Sequence, residues 1–123
     1  MKKLLLKVKN KTLTLFLKET KTASIIYEST PIHSIVNTWG EEIYFNTNLL
    51  IQKEKDAKSV MNLGEIAFWT EGSSIAIGYG KTPISSGDEI RLAAPCNVWA
   101  TASFEKSFFD NINDGDKISI EKN

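Results

Sequence analysis

The chain is poor in the residue types that carry reactive and metal chemistry. Its 123 residues hold one cysteine, Cys96, and one histidine, His33. A lone cysteine forms no internal disulfide, which fits a reducing compartment. The same counts exclude zinc sites built on two or three His/Cys ligands. A Ser–His or Cys–His nucleophile pair has only His33 to use. That residue follows Pro31 in an extended stretch with no orienting group beside it, so it reads as a structural or surface histidine. No metal or other cofactor is expected.

Charge of one sign is also missing. Fifteen Lys and Arg balance fifteen Asp and Glu. Nucleic-acid binders carry a basic excess on one face, so no nucleic-acid partner is expected. The one basic cluster, Lys2 to Lys11, reads as the solvent face of an edge strand guarded by lysines. Long apolar runs are absent too. The longest near the start is Leu4-Leu5-Leu6, against about 7–15 residues for a signal-peptide core and about 20 for a membrane helix. The expectation is a cytoplasmic chain with no membrane partner.

What is present suits a packed interior. Forty-one per cent of residues are apolar, including three Trp, three Tyr and six Phe. At this length one domain over residues 1–123 is expected, burying roughly two-thirds of its unfolded surface. Leu13, Leu15 and Leu17 alternate with Thr14 and Phe16, a strand period. Leu4–Val8 and Leu13–Leu17 therefore read as a hairpin joined by Lys9 to Thr12. Glu19–Ser29 reads as a helix, capped by Thr20 or Thr22, with Ala23, Ile26 and Tyr27 on one face. Thr30-Pro31 ends it.

Further strands are expected at Ile32–Thr38, Glu41–Asn46, Gly64–Trp69, Ser74–Tyr79, Val98–Ala102 and Lys117–Glu121. Lys53–Lys58 reads as solvated loop or a helical turn, and Phe104–Phe109 as a helical turn. About eight short strands separated by turn signals describe a barrel or a sandwich.

Two motifs fail on physical grounds. Gly80-Lys81-Thr82 resembles the end of a phosphate-binding loop, but Ile75 stands where the first glycine is needed, and Pro83 prevents the following helix. Asp110–Glu121 partly matches a calcium loop, but Ile112 occupies a ligand position. Two groups remain. Glu41 and Glu42 are adjacent, so on a strand they face opposite ways and form no acid/base pair. One of them shares a face with Trp39 or Tyr44. Arg91, the only arginine, either braces a turn through Asp88 or Glu89 or recognises a ligand.

Five segments, in order, carry a resemblance: Trp39 to Phe45, Gly64 to Trp69, Gly80 to Ile84, Gly87 to Arg91 and Ala94 to Val98. Together they resemble the small prokaryotic cyclophilin-like family over residues 2 to 121. The resemblance implies a mainly β fold, a closed antiparallel barrel of about eight strands with one or two short helices. It also implies likeness to peptidyl-prolyl isomerases. The larger cyclophilins carry an arginine followed by phenylalanine and a Gln-Gly-Gly-Asp run. Neither stands here, so their catalytic arginine is not carried over to Arg91.

Three functions follow as expectations. The first is binding of a peptide or small molecule in an aromatic-lined groove, with Trp39, Glu42, Tyr44, Phe68, Tyr79 and Arg91 as candidate site residues. The others are a prolyl isomerase with a non-standard site and a non-catalytic structural or partner-binding subunit. Some aromatics among Trp39, Tyr44, Phe68, Trp69 and Tyr79 must be core.

Overall fold

The leucine alternation near the N-terminus becomes a hairpin in the computed structural model, which describes residues 2–123. Strands β1 (Lys3–Val8) and β2 (Lys11–Leu17) pair antiparallel, with Leu4 opposite Leu15 and Leu6 opposite Leu13. The turn is tighter than expected. It is Lys9-Asn10, with Lys9 at φ 55°, and Lys11 and Thr12 already belong to β2. Helix α1 (Lys21–Ser29) follows, and Thr20 caps it by accepting a hydrogen bond from the Ala23 amide at 3.0 Å.

The remaining strands are β3 (Ile32–Ile35), β4 (Asn37–Thr38), β5 (Glu42–Asn46), β6 (Lys58–Met61), β7 (Glu65–Trp69), β8 (Ser74–Gly78), β9 (Ile90–Thr101) and β10 (Lys117–Lys122). Nine of them pair in the order β3-β10-β1-β2-β9-β7-β8-β5-β4, and β6 pairs separately with β9. The two ends of that row, β3 and β4, are neighbours in the chain, separated only by Val36. One bent segment therefore holds β10 with its first half and β5 with its second. Ser34 Oγ donates to Asn46 O at 2.6 Å across this seam. The result is a nearly closed antiparallel barrel, mainly β, as expected.

Its interior is the inward half of each strand: Leu4, Leu6, Leu15, Ile43, Phe45, Ile66, Phe68, Ile75, Ile77, Trp99 and Ile120 are all fully buried. Each large apolar side chain so buried contributes about 1.5–3 kcal/mol. Helix α1 packs Ala23 and Ile26 against this core, at the end where β2 finishes. The 3-10 turn Lys106–Phe109 closes the other end, held by Lys11 Nζ, which donates to Phe108 O and Asp110 O at 2.6 and 2.7 Å.

Three expectations need correction. β1 lies between β10 and β2, so its lysines coat an outer face and do not guard an edge. Lys58–Met61 is a strand, hidden in the sequence by the charged run before it. β9 begins at Ile90, eight residues before the expected Val98. Pro95 lies within this added length, where a residue that cannot donate to a ladder is unusual. It is tolerated because β9 bulges there: Lys58 pairs with Cys96 and Val60 with Arg91, leaving Leu92–Pro95 opposite Ser59 alone.

The charged loop before β6 is anchored by Asn97, which is wholly buried. Its Nδ2 donates to Thr22 Oγ1 at 3.0 Å and to Gln52 O at 2.9 Å, and its Oδ1 accepts from the Glu54 amide at 2.8 Å. Thr22 Oγ1 donates in turn to Glu54 Oε2. One side chain thus ties β9, α1 and the loop together. Removing it leaves buried groups unpaired, each costing about 1–3 kcal/mol. Asn97→Ala is expected to lower unfolding free energy by roughly 2–4 kcal/mol in urea titration; a loss below about 1 kcal/mol would show that the network is not holding these elements.

Candidate functional site

Most barrel strands present their outer face to solvent, but β8 does not. Ser74, Ile75, Ala76, Ile77 and Gly78 are all buried. The cover is the first half of β9 with β6, which folds over the outside of β7, β8 and β5. A second apolar cluster fills this layer: Met61, Ala67, Ala76, Leu92 and Cys96, with Tyr44, Trp69, Ile90 and Val98 packed around it. The outward residues beneath are small for a reason. A methyl group added to Gly78 would lie inside the Ile90 side chain. Gly78, Ala76 and Ala67 let the cover come down onto the sheet.

The cover does not fill the layer completely. A cavity of about 190 Å³ remains between it and the sheet. Trp39, Tyr44 and Trp69 supply aromatic walls, and Ala76, Leu92 and Ala93 supply aliphatic ones. Tyr44 and Trp69 meet edge to face, with centroids 6.1 Å apart. Trp69 is held from behind by Gly72, where any side chain would penetrate its ring. Trp39 is placed by the turn into β5: its amide donates to Glu42 O at 3.0 Å, across Gly40 at φ 61°. A methyl at Gly40 would also come within 2.9 Å of the Lys81 carbonyl oxygen.

Apart from the polar tips of the aromatic walls, the lining carries the carboxyl of Glu42 and the thiol of Cys96. Glu42 is only 6% exposed. Its Oε1 is the one buried side-chain oxygen or nitrogen, among the described residues, without a hydrogen-bond partner. Burial without compensation disfavours the charged form, and it raises the Glu42 carboxyl to about 7. The Cys96 thiol is pushed up to about 12, first by burial and then by the charge of Glu42. A thiol so raised stays protonated at neutral pH and is not a nucleophile. The titrating group of the cavity is Glu42.

Its neighbour Glu41 shows the effect of the opposite face. Lys106 Nζ approaches Glu41 Oε1 to 2.9 Å, and the Lys81 amide donates to the same oxygen at 3.1 Å. The Lys106 hydrogen bond holds the Glu41 carboxyl below its ordinary range.

Of the six residues expected at a site, Trp39, Glu42 and Tyr44 converge here. The other three lie elsewhere. Phe68 alternates with Ala67 and Trp69, so it points into the barrel, where it is fully buried. Tyr79 stacks on Phe109 at 4.3 Å, towards the end that the 3-10 turn closes. Arg91 alternates with Leu92, and its guanidinium pairs with Glu89 through Nε and, at 3.3 Å, Nη2. That is the turn-bracing role.

Trp69, Leu92 and Cys96 line the cavity without having been chosen. A signal for them exists in Ile75-Ala76-Ile77-Gly78, which has no polar alternation and so marks a strand covered on both faces. Two larger depressions, about 710 and 720 Å³, lie beside Leu17–Ser24 and beside His33–Ile35. Neither is lined by a buried titratable side chain.

The raised carboxyl has a stability consequence. Glu42 binds its proton more tightly folded than unfolded, so folding stability from this group falls as pH rises between 4.5 and about 7 and is level beyond. The full loss is roughly 3 kcal/mol. Glu42→Gln is expected to remove this fall, so that urea unfolding at pH 8 shows the variant more stable than the wild type, while the two are close at pH 4. Equal stabilities at pH 8 would mean that the carboxyl is not desolvated.

Comparison with known proteins agrees with this architecture. A family model described as cyclophilin-like matches residues 2–121. The solution structure of the hypothetical protein AF2241 from Archaeoglobus fulgidus is similar at TM-score 0.83 and 33% identity, over 99% of this chain and 95% of that one. McbB, solved in complex with tryptophan, is similar in fold alone, at TM-score 0.64 and 8% identity, over 97% of this chain and 44% of McbB. No curated protein matches the chain in sequence. A covered barrel of this topology, matched from residue 2 to residue 121, makes the chain a member of the cyclophilin-like family.

Proposed function

We propose that the chain binds a small molecule, or one side chain of a peptide, in the aromatic-walled cavity between β9 and the barrel. The observation that carries this reading is Glu42 Oε1, a buried carboxylate oxygen left without a partner. An orphaned buried acceptor is costly to the fold. Such costs concentrate where a ligand supplies the missing partner. Pockets that bind ligands combine apolar and aromatic walls with a few polar groups that orient the guest. About 190 Å³ is below the usual range for a drug-sized ligand, so the guest is small or inserts only part of itself.

The isomerase alternative has less support. Prolyl isomerisation needs no covalent step, but its barrier of about 18–20 kcal/mol is lowered by a donor aimed at the proline nitrogen. The only arginine is occupied by Glu89 and does not line the cavity. A protease-coupled assay on an Ala-Pro peptide is expected to give the buffer rate at micromolar protein. A rate clearly above buffer, lost on Trp39→Ala, would favour isomerase activity over simple binding.

The binding reading is tested by a fragment screen read in 1H–15N spectra. The three tryptophans give three indole N–H signals. Trp99 is buried in the barrel with its indole donating to Ala67 O at 3.1 Å, so it serves as the internal control. Bound fragments are expected to move the Trp39 and Trp69 indole signals and leave Trp99 in place. A screen in which no fragment moves either signal would overturn the proposal.

A further inference from the structure

We propose, on the basis of the binding reading above, that the cavity takes an organic ammonium ion, an amine on a small apolar body, with Glu42 as its counter-ion. Three features of the geometry select this class. Among the described residues the cavity lining offers one carboxyl and no cationic side chain, so a positive partner for Glu42 there comes from the guest. Glu42 lines the cavity, and its carboxyl has an unmet acceptor, Oε1, with no protein donor on it. Trp39, Tyr44 and Trp69 surround the same space, and aromatic faces attract a desolvated cation by about 2 kcal/mol or more. A neutral alcohol gains the apolar walls and one hydrogen bond to the Glu42 carboxyl, but no charge pairing and no cation–π attraction. An anion meets like charge once Glu42 is ionised and is then rejected.

The charges around Glu42 leave its titration in control. Cys96, on the cover, stays a neutral thiol. Tyr44 shares its strand and face. Beyond Cys96, Lys53 and Glu71 are paired with each other at 2.6 Å. Glu41 points the other way, to Lys106. The only histidine, His33, is on β3 against β10, outside the cavity lining.

An ammonium guest prefers the ionised carboxylate, so binding and deprotonation of Glu42 are linked. With a carboxyl titrating at about 7, raising pH from 6 to 8 takes it from mostly protonated to mostly ionised. The affinity for a permanently protonated amine then rises about tenfold.

The experiment compares benzylamine, benzyl alcohol and benzoate on the whole chain at pH 6 and pH 8. Indole signals of Trp39 and Trp69 locate the site, and calorimetry in two buffers of different ionisation enthalpy counts protons. Benzylamine is expected to bind at those indoles, about tenfold tighter at pH 8, releasing roughly half a proton near pH 7. Benzyl alcohol is expected to bind more weakly than benzylamine at pH 8 and without the tenfold rise, and benzoate to be rejected at pH 8, where Glu42 is ionised. Glu42→Gln is expected to abolish the pH dependence and the proton release, whereas Glu41→Gln, which removes an equal charge on the opposite face, keeps both. Should Glu42→Gln not fold, the wild-type proton count alone decides. Benzyl alcohol binding at the same indoles as tightly as benzylamine, at both pH values, overturns the ammonium proposal and leaves the binding reading standing. No movement of either indole by any of the three overturns both.

Discussion

The structure depends on one strand running past the barrel it helps to build. The second half of β9 pairs with β2 and β7 as a barrel strand, and Trp99 fills the interior. The first half has no place in the ring. It carries Ile90 and Leu92 and leads into Cys96, side chains that pack into a buried cluster against the outer face of β7 and β8. Burial of apolar area is the largest favourable contribution available. The overhang therefore folds back, with β6 along its edge, and converts a one-sided sheet into a three-layer region. Gly78 and the alanines of β7 and β8 are the steric condition for that closure.

Burying an outer face has an electrostatic side effect. Outward positions on a barrel are where charged residues normally sit, and Glu42 occupies one. The cover strips its solvent without supplying a donor, which raises its carboxyl to about 7. One residue earlier, Glu41 remains at the rim with Lys106 and is pushed the other way. Two adjacent residues of one type thus become an ordinary surface ion pair and a desolvated carboxyl within a cavity. Exposed pairs of the first kind contribute at most about 1 kcal/mol. The second kind costs stability whenever it is ionised.

Much of the barrel was legible in the residues because its period is local. Leu13-Leu15-Leu17, Ile75-Ile77 and Ile118-Ile120 each state their inward face without help from any other strand. The ordered segments from Trp39 to Val98 narrowed barrel or sandwich to one family. The cavity was less legible, because it is made by contacts between distant segments. Trp39, Glu42 and Tyr44 lie within six residues and were found together. Trp69 and Cys96 reach them only through the fold of the β9 overhang. Phe68 and Tyr79 drew notice as aromatics, but strand alternation and the stack on Phe109 take them to the interior and the barrel end. Arg91 drew notice as the lone arginine, and Glu89 two residues earlier accounts for it.

The cavity's chemistry rests on the state of the Glu42 carboxyl. Its titration is read directly from the side-chain carboxyl carbon of 13C-labelled protein, assigned by loss of the signal in Glu42→Gln. A desolvated Glu42 is expected to show a midpoint near 7, well above that of Glu41. A midpoint at the ordinary glutamate value of 4.5 would contradict it, because the cavity would then be wet and Glu42 would have its partners already.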